Sequence, residues 1–281
     1  MADAWAPFGT LVETRLRVAT WNLWGRYGPW EARGPVILEN LRAVDADVVC
    51  LQEAWRDGAR SQPRELASAL GMHGVYEPAF EINGAWSGNA VLSRWPVLRH
   101  DVVELPMAGG GAVDTDGGER RLVVFVELDG PRGPVQVFCT HLSWRVDWSG
   151  VRQEQVRVLC EVVASTRPRS FPAIVCGDLN AQPDSDEIRM LTGRRAVPVP
   201  GVVFHDAWAA AGNSDAGATI SACNPFAAAD LEPDSRIDYV LVGWPKLAGV
   251  GQVLAARVFG DIDVDGVFGS DHLGVAAELR Y

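Results

Sequence analysis

Ala173-Ile174-Val175-Cys176-Gly177-Asp178-Leu179-Asn180 is an apolar run that stops at a glycine and then delivers a carboxylate and a carboxamide two residues apart. A short apolar run bounded by turn signals reads as a buried strand. On an extended chain residues i and i+2 face the same way, so Asp178 and Asn180 are expected to point together beyond the strand end. Pro183 and then Asp184-Ser185 end the extended run and start a helix with a polar cap. Taken alone, the segment is better read as a strand-to-helix turn that happens to carry Asp and Asn. Its neighbours in the fold decide the matter.

Working outward, the same pattern recurs. Leu16–Thr20 is a strand that runs into Trp21-Asn22-Leu23-Trp24-Gly25, and Pro35 opens a helix with Val36, Ile37, Leu38, Leu41 and Val44 on its apolar face. Asp47–Leu51 is a buried strand ending in Gln52-Glu53, a helix near Pro63–Leu70 closes at Gly71, and Asn89–Ser93 is a further strand. Residues 106–119, rich in Gly and Asp, read as a surface loop or flap. Arg121–Leu128 and Val135–Thr140 form a hairpin, and Ser149 caps a helix reaching about Thr166. After a long irregular region at 193–235 come the strands Arg236–Val242 and Gly274–Leu279, the latter preceded by Ser270-Asp271-His272. Strands outnumber helices, and hairpins mix with strand–helix–strand units. That predicts a sandwich of two mixed sheets with helices outside. No linker or repeat interrupts the chain, so residues 1–281 are read as one domain.

With 281 residues, 48% hydrophobic and 22% charged, the chain has the length and composition for a sizeable core. Its formal charge of −11, with Lys246 as its only lysine, argues against stable binding of duplex nucleic acid, which is held by neutralising phosphates. A local Arg patch is the arrangement that escapes this average. Clustered carboxylates instead suit a divalent cation, which inverts the local sign. The five cysteines have no metal-site spacing, and all but Cys223 sit in apolar strand or helix patterns, as buried thiols do. There is no basic-then-apolar leader and no apolar run approaching the ~20 residues of a transmembrane segment. A reduced, cytoplasmic protein is expected, and nothing in the sequence sets its oligomeric state.

Asn22, Glu53, His141, the pair Asp178/Asn180 and Asp271-His272 all lie at strand ends, and Asp238 lies within a further strand. Each alone is ordinary, since a strand-end Asp is structural more often than catalytic. Together they supply the carboxylates, amides and imidazoles that metal-assisted hydrolysis requires. The ordered stretches Ala19-Thr20-Trp21-Asn22-Leu23-Trp24, Leu51-Gln52-Glu53, Gly88–Pro96, Thr140-His141-Leu142, Gly177-Asp178-Leu179-Asn180, Arg236-Ile237-Asp238-Tyr239 and Ser270-Asp271-His272 resemble the motifs of the endonuclease/exonuclease/phosphatase superfamily. That group includes deoxyribonuclease I, apurinic/apyrimidinic endonucleases, bacterial sphingomyelinases and inositol polyphosphate 5-phosphatases. The resemblance covers about residues 16–274. It implies an α/β (α+β) fold, a four-layered sandwich of two packed mixed β-sheets flanked by helices, deoxyribonuclease I-like.

The resemblance also implies roles. Glu53 with Asn22 would bind Mg²⁺, or Mn²⁺, with Asp271 as a looser second contact. Asp178 and His272 are the candidates for activating water. We take Asp178 as the base and the His272–Asp238 pair as the group that stabilises the phosphoryl oxygens, Asp238 fixing the tautomer of His272. Asn180 would donate its amide to a phosphoryl oxygen, and His141 would act near the leaving group. Arg121, with Arg120 beside it, and Trp144 are candidates for substrate binding. Trp86, Trp148 and Trp208 are offered with Trp144 as stacking surfaces, although most indoles in a chain with 11 tryptophans belong to the core. The expected activity is divalent-metal-dependent hydrolysis of a phosphoester, on a small or single-stranded substrate. The alternatives are a DNA endonuclease or exonuclease, a sphingomyelinase-like phosphodiesterase and, in a different class, a noncatalytic scaffold that retains the fold. Against the scaffold, no expected site residue is missing.

Overall fold

Strand β1 (Arg15–Asn22) shows why the chain builds layers. Leu16 and Val18 face one core, while Ala19 and Trp21 face another, so the strand is buried on both sides. The same alternation holds in the neighbouring strands and yields two six-stranded sheets in this computed structural model, which describes residues 7–107, 119–231 and 233–281. The first sheet has the order β11 (Val253–Phe259), β12 (Gly274–Arg280), β1, β2 (Val48–Arg56), β4 (Ala85–Ser93), β3 (His73–Ile82). The second has the order β5 (Val97–Glu104), β6 (Leu122–Leu128), β7 (Val135–His141), β8 (Ile174–Asp178), β10 (Asp238–Gly243), β9 (Phe204–Asp206).

Val18, Val48 and Cys50 of the first sheet meet Val124, Val137, Ile174 and Val240 of the second in the central core. Helices α1 (Trp30–Val44) and α2 (Gln62–Leu70) cover the outer face of the first sheet through Ile37, Leu41, Val44 and Leu66. Helices α3 (Ser149–Ser165) and α4 (Asp186–Leu191) cover the second through Val156, Leu159, Val163, Ile188 and Leu191. The result is the four-layered, deoxyribonuclease I-like sandwich. Among the described residues, no helix is long and apolar enough to cross a membrane.

Two parallel pairings inside otherwise antiparallel sheets position the site. β1 runs parallel to β2, with Asn22 opposite Gln52, and β7 runs parallel to β8, with His141 opposite Asp178. Parallel neighbours need a crossover, which α1 and α3 supply, and their carboxyl ends then emerge on one edge. β10 runs antiparallel to β8 and puts Asp238 opposite Asp178 at its own start. β12 runs antiparallel to β1, so Asp271-His272 arrive just before it at the same edge.

Several local expectations change. Helix α1 starts at Trp30 and carries Pro35 inside it, where the missing N–H costs one bond near the helix start. Ser149 is the first residue of α3 rather than its cap, and its hydroxyl donates to Glu187 Oε2 at 2.9 Å. β2 does not end at Glu53 but continues to Arg56 through a bulge between Leu51 and Ala54. The region 193–235 contains β9 and the short helices α5 (Ala207–Ala210) and α6 (Pro225–Ala229). Most of the expected 106–119 loop, residues 108–118, lies outside the described residues.

Candidate active site

A cleft of about 770 Å³ opens at the edge where these strand ends meet. Asn22, Glu53, Arg121, His141, Trp144, Asp178, Asn180, Asp271 and His272 all line it. Asp238 does not; it is fully buried behind His272. Arg120 does not line the cleft either; it pairs with Glu104 and borders a small hollow beside Glu53 and His141.

The centre of the arrangement is Asp178. Its Oδ2 accepts from Asn22 Nδ2 at 3.0 Å and lies 3.4 Å from His141 Nε2 and 3.8 Å from His272 Nε2. Its Oδ1 accepts from the backbone N–H of Asn180 at 2.9 Å. Gly177 makes this possible, because a Cβ there would overlap the carbonyl oxygen of Thr140 on β7. Asn180 does not simply project beside Asp178: it takes a left-handed φ of 47°, and its amide donates to Leu142 O at 3.1 Å. Asn22 braces two carboxylates, donating to Glu53 Oε1 at 3.1 Å as well as to Asp178, while its Oδ1 accepts from Trp24 N at 3.0 Å. Glu53 sits in the β2 bulge at φ 51°, which turns its side chain out of the ladder.

His272 Nδ1 is 2.9 Å from Asp238 Oδ2, the only oxygen of that carboxylate with a partner. Sequence reasoning missed what holds this strand entry in place. The Ser270 hydroxyl donates to Asn22 O at 2.7 Å, and Asn224 Nδ2 donates to Ser270 O at 2.7 Å and to Asp271 O at 3.0 Å. The guanidinium of buried Arg33 donates to the carbonyls of Leu23, Trp24, Gly25 and Gly269 at 2.7–3.0 Å. A helix arginine carries no sequence signal for such a tie.

The electrostatics divide the two histidines. Burial pulls His141 well below its ordinary value, helped by the charges of Arg121 and His272, so it is neutral. Burial opposes charging His272 too, but the carboxylates of Asp238, Asp271 and Asp178 outweigh it and hold the imidazole protonated. Burial and the neighbouring Asp238 raise Asp178 to about 7. Glu53 is raised by burial and by the charge of Asp271, and Asp271 is itself raised by burial.

Two groupings bear on cation binding. Asp178, Asp238 and His272 present ligand atoms within 4.8 Å of one another, but His272 is protonated and its Nδ1 is committed to Asp238. Glu53 and Asp271 instead have no Lys or Arg within 4 Å among the described residues. Two buried carboxylates, one raised by the charge of the other and neither in a close ion pair with Lys or Arg, suit a hard divalent ion.

The walls are mixed. Trp24, which stacks on Tyr27 at 6.0 Å and lies 5.0 Å from Phe226, forms an aromatic side that the sequence did not single out. Trp144, half exposed, and exposed Val146 also line the cleft. Of the other tryptophans offered for stacking, Trp208 is buried and donates to Asp215 O at 3.0 Å, while Trp86 and Trp148 lie outside the cleft lining. Arg121 is buried against Glu119 and sits over the Phe80 ring.

A four-layered sandwich that gathers carboxylates, amides and imidazoles at one edge of both sheets defines the deoxyribonuclease I-like class. Residues 19–272 match the sequence model of the Endonuclease/Exonuclease/phosphatase family, and the chain belongs to that family. Its members are generally phosphoester hydrolases that depend on divalent metal ions. Among similar proteins, mouse Protein angel homolog 2 is 29% identical over 166 residues, 56% of this chain and 30% of that protein. Escherichia coli K12 YbhP, itself described as uncharacterized, is 30% identical over 161 residues, 52% of this chain and 58% of that one. The match thus spans less than two thirds of either relative. The crystal structure of an endonuclease/exonuclease/phosphatase from Beutenbergia cavernae DSM 12333 superposes with a TM-score of 0.72 at 27% identity, covering 95% of this chain and 72% of the other.

Proposed function

We propose that the protein hydrolyses a phosphoester bond by in-line attack of water, with a divalent cation, Mg²⁺ by ligand chemistry, held by Glu53 and Asp271. The observation that carries this reading is Asp178 Oδ2, gathered with one amide and two imidazoles within 3.8 Å, in a cleft that also holds the buried carboxylates of Glu53 and Asp271. The bound cation would supply charge neutralisation at a phosphoryl oxygen. Asp178, raised to about 7, is suited to orient water and take its proton near neutral pH. Protonated His272, fixed by Asp238, offers its Nε2–H to an anionic phosphoryl oxygen. Asn180 keeps its second amide hydrogen for another, and neutral His141, 3.4 Å from Asp178 Oδ2, is the group left to meet a leaving group.

A small or single-stranded substrate fits better than duplex DNA. The cleft lining carries Glu53, Glu119, Asp178, Asp230 and Asp271, and its arginines Arg121 and Arg152 are already paired to Glu119 and Glu187. That leaves little to clamp several phosphates, while Trp24, Tyr27 and Trp144 offer apolar surface for the ester's organic part. The test is hydrolysis with Mg²⁺ and Mn²⁺ of plasmid DNA, oligonucleotides, sphingomyelin and small phosphodiesters, alongside metal-dependent melting. Turnover of a small diester or oligonucleotide, lost in Asp178→Ala, is expected, with a metal-induced rise in melting temperature that Glu53→Ala abolishes. Efficient plasmid nicking lost in Asp178→Ala would overturn the substrate assignment. No hydrolysis and no melting shift would favour a noncatalytic scaffold.

A further inference from the structure

At the other end of β8 and β10 the chain builds a hollow of opposite character. Ala173 and Gly243 line it, whereas Asp178 and Asp238 lie on the same two strands at the catalytic edge, roughly 16 Å along at about 3.3 Å per residue. The hollow measures about 410 Å³, within the range of small-ligand sites. Its lining includes Arg167, Arg169 and Lys246, the only lysine of a chain with a formal charge of −11, and no carboxylate.

These cations are held in place by neutral acceptors. Arg167 Nη2 donates to Gly201 O at 2.6 Å. Arg169 donates through Nε to Gln136 Oε1 and through Nη2 to Thr166 Oγ1, both at 3.0 Å, and also to Val163 O. Lys246 Nζ donates to Arg169 O. No carboxylate lies within 4 Å of them among the described residues. Part of this arrangement is ordinary, because the carboxyl end of α3 carries about half a negative charge and attracts cations. Three positive charges on one helix end exceed that attraction. Arg169 and Lys246 are both lowered, first by burial and then by a neighbouring guanidinium, as expected of cations crowded without an anion.

Trp244 completes the hollow. It is 65% exposed, and His205 packs edge-on against it at 4.6 Å, which fixes the indole while leaving it open. It also borders an adjoining hollow of about 300 Å³ that holds Arg194. We propose that this face is a second, noncatalytic ligand site for a nucleotide unit, its phosphate taken by Arg167, Arg169 and Lys246 and its base stacked on Trp244. Cations fixed by neutral partners suit a phosphate, and an exposed, braced indole suits a base.

The unit can come from a free nucleotide or from a single strand, and titration separates the two. Metal-free protein, with Asp178→Asn to preserve the ligand, is titrated with AMP, inorganic phosphate and a short oligonucleotide, read by calorimetry. Saturable AMP binding is expected. Arg167→Gln or Lys246→Gln should weaken AMP and phosphate at least about tenfold, the loss of one charge-assisted bond. Trp244→Ala should weaken AMP by a similar factor and spare phosphate. These three side chains are exposed, so the fold should survive their loss. Tighter binding of the oligonucleotide, with the same sensitivities, assigns the strand as the source. Absence of AMP saturation up to about 10 mM overturns the proposal. Binding that ignores all three substitutions but is lost in His272→Ala overturns it too, because the ligand then sits in the catalytic cleft.

Discussion

Asp178→Asn should make the metal-free protein more stable at alkaline pH while removing its activity. Burial and the charge of Asp238 raise the Asp178 carboxyl from 3.8 to about 7. A carboxyl whose folded value lies above its unfolded one favours folding fully below about pH 4, and that contribution is lost as pH rises through 7. At 1.36 kcal/mol per pH unit the interval gives a ceiling of about 4 kcal/mol, relative to a side chain that does not titrate. Asparagine offers one oxygen where the carboxylate accepts from both Asn22 Nδ2 and Asn180 N, so its NH₂ must face a donor. That mismatch costs about 1–3 kcal/mol. The remainder is about 2 kcal/mol in favour of the variant at pH 8, or about 4 °C in melting temperature for a chain of this size. Near pH 4.5 the advantage should vanish or reverse. Thermal unfolding of metal-stripped wild type and variant from about pH 4.5 to 8.5 measures this directly, and a phosphodiester assay should show a loss of at least about 10²-fold. A stability difference that does not change with pH, or a variant less stable at pH 8, refutes the reasoning.

Asp238→Asn removes the carboxylate that does most to keep His272 protonated against burial, so activity should fall about 10²–10⁴-fold and the alkaline limb of the pH–rate profile should move to lower pH; an unchanged profile would deny the pairing. Gly177→Ala places a Cβ on the Thr140 carbonyl, and urea unfolding should show a loss of more than about 3 kcal/mol as the β7–β8 pairing opens. Trp144→Ala alters a side chain that is 51% exposed, so melting should change by no more than about 1 °C while KM rises several-fold at unchanged kcat; equal losses in kcat and kcat/KM would place Trp144 in the chemistry instead.

The sequence reading found β1, β2, β4, β6, β7, β8, β10 and β12, which are the inner strands of the two sheets, and missed β3, β5, β9 and β11, which are the edges. The reason is burial. An inner strand here is covered on both faces and appears as an unbroken apolar run, as in Ile174-Val175-Cys176. An edge strand is half solvated, and charge on it discourages pairing with other chains, as His100, Asp101 and Glu104 do on β5. Because the predicted site residues sit on inner strands or just beside their ends, they were legible in the same signal. Trp24, Tyr27 and Arg33 were not, since they lie beyond the strands and their task depends on tertiary contacts.

The two-residue alternation that located the site also fails at the site itself, and the failure is informative. Trp24, Glu53 and Asn180 take φ values of 55°, 51° and 47°, each at the place where β1, β2 or β8 meets the cleft. Left-handed backbone at a non-glycine residue costs of order 1–3 kcal/mol and persists only where the surroundings enforce it. Here the enforcement is visible. Asn22 Oδ1 holds the N–H of Trp24, Asp178 Oδ1 holds that of Asn180, and Arg33 gathers the carbonyls of Leu23, Trp24, Gly25 and Gly269 under the floor. A strand continued regularly would send these side chains alternately into the core. Breaking the alternation turns Glu53 outward, and it brings Asn180's N–H onto the Asp178 carboxylate, where it lowers the proton affinity that burial raises. The same residues therefore carry the chemistry and bend the backbone that aims it, which explains why motifs this short are enough to define the site.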